Sequence, residues 1–387
     1  MPAFKATSGF RLYLLLFGLL LVGCEDARET PRLGDWTLRT DPLPLRKTLQ
    51  VSETENYFFG SIRDLNVTSA GRMVVLDGEA THLKVLRPDG TLLDTLGREG
   101  QAPGEFQFPA TIEVARGDSV YVFDAEPDRL TVFTPPPAPA LARSMTITRE
   151  QGPRGTDAWG SLQTVRVVGD TLATQFRPYY AREEGYRQPA PATWRLMSET
   201  GVLSDTLLQE RRKHISISFE GQGVGIESLP FDRSTQVAVG PDDRFYHGWT
   251  DSLQIQATAL DGTTEVIAHV PTAPVSVTDA DRDSALSPIE RTDIRQQFTD
   301  AFPQTKPAFT DLVVANDGRL WVRRPAEDAT SDTVPWWILD PETQTIHQVR
   351  LPRDVALAVV QDGKAYGKTT TEMGAPAVVR YRMEAKD

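Results

Sequence analysis

Along the chain, short runs of Val, Ile, Leu, Tyr and Phe are cut at close intervals by Gly, Asp, Asn and Pro. This is the pattern of antiparallel strands joined by tight turns. Two consecutive stretches match each other without a gap. Leu65-Asn66-Val67 is answered by Ile112-Glu113-Val114, Val74-Val75-Leu76-Asp77 by Tyr121-Val122-Phe123-Asp124, and Leu83-Lys84-Val85-Leu86 by Leu130-Thr131-Val132-Phe133, each about 47 residues later. Ser69-Ala70-Gly71, Pro88-Asp89-Gly90 and Arg116-Gly117-Asp118 mark the turns between these runs. A small four-stranded sheet cannot cover its own apolar faces, so successive sheets must stack, and a ring of them covers every face at once.

The order strand, turn, strand, strand returns around Val237-Ala238-Val239 and Phe245-Tyr246, and again around Leu312-Val313-Val314 and Leu320-Trp321-Val322. Divergent copies lie at Val165 to Ala173 and from Ala356 onward, which brings the expected count to six blades. The last copy has room for three strands. Leu45 to Val51 alternates suitably and is expected to supply the fourth, closing the ring by pairing the two ends of the chain. The predicted fold class is therefore all-β, a six-bladed β-propeller over residues 43–387 with one short helical insertion. Ser287-Pro288-Ile289-Glu290 reads as a capping box, and Ile294, Phe298 and Phe302 recur at helical spacing, which predicts a helix over about 287–302 that packs on the propeller.

Gly97-Arg98-Glu99-Gly100-Gln101-Ala102-Pro103-Gly104-Glu105-Phe106, followed by Phe108-Pro109, resembles the connector of NHL-type repeats. The resemblance covers Asp64 to Phe133 in detail. It implies a propeller that presents a face to a protein, an RNA or a small ligand.

Upstream, Lys5 and Arg11 precede the apolar stretch Leu12 to Leu21, too short to span a bilayer but of the length of a signal h-region. Leu21-Val22-Gly23-Cys24 resembles the lipobox of bacterial lipoproteins, with cleavage after Gly23 and diacylglycerol on the Cys24 thiol. Residues 1–23 then form a lipoprotein signal peptide and residues 24–42 a lipidated tether, polar and without periodicity. The expected location is the bacterial cell envelope, lipid-anchored at the outer membrane or the periplasmic face. Acyl chains such as palmitate stabilise membrane attachment by about 0.8 kcal/mol per buried CH₂, and no spanning helix is needed. Cys24 is the sole cysteine, so no intramolecular disulfide forms.

The formal charge of −12 argues against nucleic acid as a partner, and so against the RNA version of the NHL reading. The sequence has no GxSxG, no P-loop and no HExxH, and its five histidines are far apart. No catalytic residue, metal ligand or cofactor is assigned. Asp77 and Asp124, at equivalent repeat positions, are expected to close turns by accepting backbone N–H bonds. Tyr179 and Tyr180, with Arg177 nearby, are candidates for a ligand site at the channel mouth. The function expected is a non-catalytic platform for an envelope protein or small ligand. The alternative is a metal-dependent hydrolase or lyase acting at the central channel.

Overall fold

The computed structural model describes residues 36–39, 42–147, 160–178, 185–198, 203–220, 223–326 and 331–384. Gly23, Cys24, Tyr179 and Tyr180 lie outside these residues. Within them the chain forms six sheets in sequence order around a central axis, each built on four antiparallel strands.

Blade 1 begins with Ile62–Val67 and ends with Leu92–Leu96, blade 2 runs from Pro109–Val114 to Leu141–Thr146, and blade 3 from Ser161–Val168 to Leu203–Glu210. Blade 4 runs from Thr235–Val239 to Thr264–Val270 and blade 5 from Asp311–Val314 to Thr345–Pro352. Blade 6 holds Ala356–Gln361, Lys364–Thr370 and Pro376–Met383, and its outer strand is Leu45–Val51, paired antiparallel with Pro376–Met383. The closing strand is thus where the alternation of residues 45–51 placed it.

Apolar side chains from facing sheets interleave between each pair of neighbouring blades. Between blades 1 and 2, for example, Val74, Leu76 and Leu83 meet Ile112, Val120 and Val122. This packing is what six separate sheets cannot achieve alone, and it removes every large apolar face from water.

The repeated aspartates behave as turn closers. Asp77 accepts N–H bonds from Gly60 and Ser61 at 3.1 and 3.2 Å, and Asp124 accepts them from Gln107 and Phe108 at 3.0 and 2.6 Å. Each ties the end of its blade's second strand to the connector that leads into the first. Each is also neutralised by a buried cation, Lys84 at 2.7 Å and Arg129 at 3.1 Å. In the connector of blade 2, Gly97 has φ +77°, and a Cβ there would lie 2.1 Å from the Phe106 ring, so glycine is required. Phe106 is fully buried under this turn, and Arg129 donates to the carbonyls of Gln101 and Glu105.

Three features depart from expectation. First, the segment expected as a free tether is engaged from Trp36 on. Thr37–Leu38 pairs parallel with the outer strand of blade 5, and the Leu43 N–H donates to the Gln348 carbonyl at 2.8 Å. Both strand residues are exposed, so no burial periodicity betrays them.

Second, the helical insertion is a pair, α1 over Asp279–Leu286 and α2 over Thr292–Ala301. The capping box belongs to Thr278 and Asp281, not to Ser287 and Glu290. Ser287 ends α1, with helical φ and ψ and its N–H already donated to Asp283, and Pro288 then stops the helix. A Ser-Pro pair carries the same local signature at a start and, one turn late, at a stop.

Third, Ile294 and Phe298 do form the buried face of α2, with Phe302 buried just past its end, but together with Leu286 and Leu229 they build a satellite core rather than sit on a blade. Leu229 follows an unforeseen three-stranded sheet, Gly185–Arg187, Ile215–Glu220 and Gly223–Ser228.

Candidate functional site

In each blade the first strand runs along the axis. The first strands of blades 1 and 2, 2 and 3, 4 and 5, 5 and 6, and 6 and 1 pack side by side, whereas the first strand of blade 4 lies against the last strand of blade 3. The alternating strand directions put two kinds of connection at opposite ends of the ring. The three-stranded sheet and the helix pair both fall in connections at the end where the first strands begin.

At the other end the tight turns are tied to one another. Ser69 bonds Asp118 at 2.7 Å, Arg116 reaches Asp243 at 2.8 Å, Asn316 bonds Asp362 at 2.9 Å and Gln361 bonds the Thr68 carbonyl at 2.9 Å. These links join the turns of blades 5, 6, 1, 2 and 4.

A cavity of about 650 Å³ occupies the axis. Its lining has two halves. Blades 1 to 3 contribute Asp64, Asn66, Thr111, Glu113, Thr164, Arg166, Gln175 and Glu210, while blades 4 to 6 contribute mainly Val237, Val239, Leu312, Val314, Leu357 and Val359. Lys368 of blade 6 is the cation on the aliphatic side, and its ammonium donates to the Arg63 carbonyl at 2.8 Å.

Within the polar half, Arg166 donates to Glu113 at 2.7 Å. Burial pushes the Glu113 carboxyl above its ordinary value; Arg166 pulls it back only in part and Asp64 adds to the rise. For Arg166, burial disfavours the charge, but Glu113 and Asp64 outweigh it and hold the guanidinium above its usual range. Asp64 itself accepts the N–H of Ile112 at 3.0 Å, which clips blade 2 to blade 1. Thr164 and Thr111 bond each other at 3.1 Å and do the same for blades 3 and 2. At the margin nearer the insertions, Glu210 accepts from Gln175 and from the Trp194 indole N–H, the latter at 3.4 Å.

Of the candidates named from sequence, Arg177 ends the second strand of blade 3 and lines a small crevice with Glu210 and Arg212, outside the axial cavity. Trp194 borders the cavity but is 5 % exposed and packs on Phe245 at 5.3 Å, so it serves chiefly as core. Trp336 is core, and Trp337 lies under the Arg324 guanidinium at 4.4 Å.

None of the five histidines lines the cavity. His82, His247, His269 and His347 sit on second, third or fourth strands, and His214 bonds Asp232 at 3.1 Å. Among the described residues no three His, Cys, Asp or Glu side chains gather as a metal-ligand set.

Sequence reasoning passed over Asp64, Glu113, Arg166 and Glu210. For the first three the signal was a charged residue inside the apolar first strand of consecutive repeats, as in Ile112-Glu113-Val114 and Val165-Arg166-Val167; Glu210 ends the last strand of blade 3 and left no such signal. Such residues are tolerated there because they are engaged across blades, Arg166 with Glu113 and Asp64 with the Ile112 N–H.

No protein-family model matches the chain, and no curated protein matches it. Solved structures do. A Bacteroides fragilis protein described as exported aligns over 90 % of this chain and 99 % of its own, with a TM-score of 0.54 and 10 % identity. A member of the DUF4221 family from Bacteroides vulgatus aligns over 90 % of this chain and 100 % of its own, with a TM-score of 0.50 and 8 % identity. Virginiamycin B lyase from Staphylococcus aureus is a looser match, with a TM-score of 0.42 and 8 % identity over 88 % of this chain and 100 % of its own, and carries no argument. At these identities the likeness establishes the fold alone. No helix among the described residues is long and apolar enough to cross a membrane.

Proposed function

We propose that this chain is a bacterial envelope lipoprotein, cleaved after Gly23 and acylated on Cys24, whose propeller binds a small ligand or a protein partner at its axial cavity without turning it over. An NHL-like connector, Gly97 to Phe106, joins its first two blades. The observation that carries the binding reading is the cavity itself, about 650 Å³ with one polar and one aliphatic half. Sites for small molecules are concave and largely preformed, with a few fixed polar groups against apolar walls. Both long insertions rise at the end where the first strands begin, as expected of a binding side in a repeat fold.

The absence of turnover rests on how the charged groups are engaged. Glu113 faces Arg166, Asp64 is held by backbone N–H groups, and Asp77 and Asp124 close turns. None is paired with a nucleophile or a histidine. A metal-dependent hydrolase or lyase needs a ligand set, and the described part of the cavity does not assemble one.

The test is native mass spectrometry of the full chain extracted from bacterial membranes in mild detergent. The chain should carry a small molecule or retain a partner, and Asn66→Trp, which fills the cavity from the first strand of blade 1, should lose it. Retention of the same species by Asn66→Trp would place binding elsewhere and overturn the reading.

A further inference from the structure

The axial cavity is not a plain cylinder. Where blade 4 leans on the last strand of blade 3 it extends outward as a slot, with Gln175, Trp194 and Glu210 on one wall and Thr235, Gln236 and Val237 on the other. Among the described residues the core between these two blades is correspondingly the smallest of the six interblade clusters: Val168, Ala173, Trp194, Leu208 and Phe245.

Glu210 differs from the other carboxylates of the cavity in what holds it. Glu113 is matched by Arg166, and Asp64 lies in the field of the same guanidinium. Glu210 is oriented by two neutral donors, the Gln175 amide and the Trp194 indole, both on Oε2, and no Lys or Arg among the described residues forms an ion pair with it. Its charge is therefore fixed in direction and not neutralised by a direct ion pair, although Arg177 and Arg212 share the crevice on its far side.

Gln175 supplies the second, independent observation. Its side chain is 8 % exposed and lines the same slot. The NH₂ must face the carboxylate, since the carbonyl would repel it, so the amide oxygen is left over. That oxygen has no donor among the described residues. It is not sealed in the core, so a ligand in the cavity can reach it. The slot thus offers two acceptors, Glu210 Oε1 and Gln175 Oε1, neither of which receives a hydrogen bond from a described residue. Across the axis stand Leu312, Val314 and Leu357, a hydrocarbon wall.

We propose that the slot between blades 3 and 4 binds the ammonium group of an aliphatic amine, with Glu210 as counter-ion, Gln175 as second acceptor and the aliphatic wall against the ligand's stem. An –NH₃⁺ group brings three donors and a positive charge, which suits a carboxylate oxygen and an amide oxygen side by side. A carboxylate ligand would meet Glu210 head on, and an alcohol would leave its charge unmatched. The assignment deepens the binding reading above and rests on it.

Calorimetric titration of the full chain in detergent, near neutral pH, with n-hexylamine, hexanoate and hexanol is the test. Hexylamine should bind, and the other two should bind at least about tenfold more weakly. Glu210→Gln, which keeps the shape and an oxygen for Gln175, should weaken hexylamine by about tenfold or more with the unfolding midpoint unchanged. If Glu210→Gln fails to fold, Gln175→Met should show the same loss. Hexylamine no tighter than hexanol, or indifferent to both variants, overturns the assignment. Hexanoate or hexanol binding that Asn66→Trp abolishes would overturn it too, while leaving the cavity as a ligand site.

Discussion

The Asp77–Lys84 pair shows how much one buried charge depends on its surroundings. Burial alone would push the Asp77 carboxyl up; the Lys84 ammonium and the N–H groups of Ser61 and Gly60 outweigh it and hold the carboxyl below its ordinary value of 3.8. A carboxylate with a depressed folded-state value contributes stability that is present above 3.8 and is lost as pH falls through the lower folded value. Lys84→Met leaves that carboxylate buried without its cation and should cost about 3 kcal/mol near neutral pH, measured by urea unfolding. The variant should also lose stability less steeply than the parent below pH 3.8, because its Asp77 is less depressed. The role of Asp77 was legible in the sequence because Asp124 repeats it. Its cation was not, since blade 1 takes Lys84 from mid-strand whereas blade 2 takes Arg129 from the strand's first residue. Two chain positions can reach the same point in space, and a repeat alignment compares only positions.

At the scale of elements, what was legible followed from burial and what was missed followed from contacts distant in sequence. Leu45–Val51 was recognisable as a blade strand because Leu49 and Val51 pack on the core with Tyr57 and Phe59 and so alternate with polar neighbours. The buried positions of α2 were readable for the same reason. The start of α2 was not, because a cap is a local signal that takes no account of the helix already running before it. The sheet formed by residues 185–187, 215–220 and 223–228 brings together segments separated by two blade strands, with Gly and Ser among them, and left no period to find.

The closing strand carries a sharp expectation. Deleting residues 42–51 would strip the partner from Pro376–Met383, whose backbone would then face water as an open edge. The deleted chain should unfold at a lower temperature than the parent and self-associate by light scattering. An unchanged midpoint with a monomeric profile would show that the ring does not need this strand.

For the whole molecule, the repeat determined the fold, and the ring in turn created a cavity that no single blade contains. That is why the six blades could be counted from sequence while the polar lining could not. Asp64, Glu113 and Arg166 belong to three consecutive repeats and meet only when those blades stack side by side. The proposed anchor is tested at this scale as well. Cells expressing the full chain should incorporate labelled palmitate into it, and Cys24→Ser should abolish the label and move the protein from the membrane pellet to the supernatant. Label retained by Cys24→Ser would place the acyl chain elsewhere or remove it from the account.

The segment from Trp36 to Val51 clips first onto the rim of blade 5 and then completes blade 6, so the chain joins the ring at its circumference. Any tug arriving along the backbone from upstream is met there, by Thr37 and Arg39 holding Gln344 and Ile346, before it reaches the seam. Two further strands of blade 6 then separate the seam from Ala356–Gln361 at the axis. Mechanical load is carried by the outer hoop, and the hub can keep its shape while the rim takes the strain.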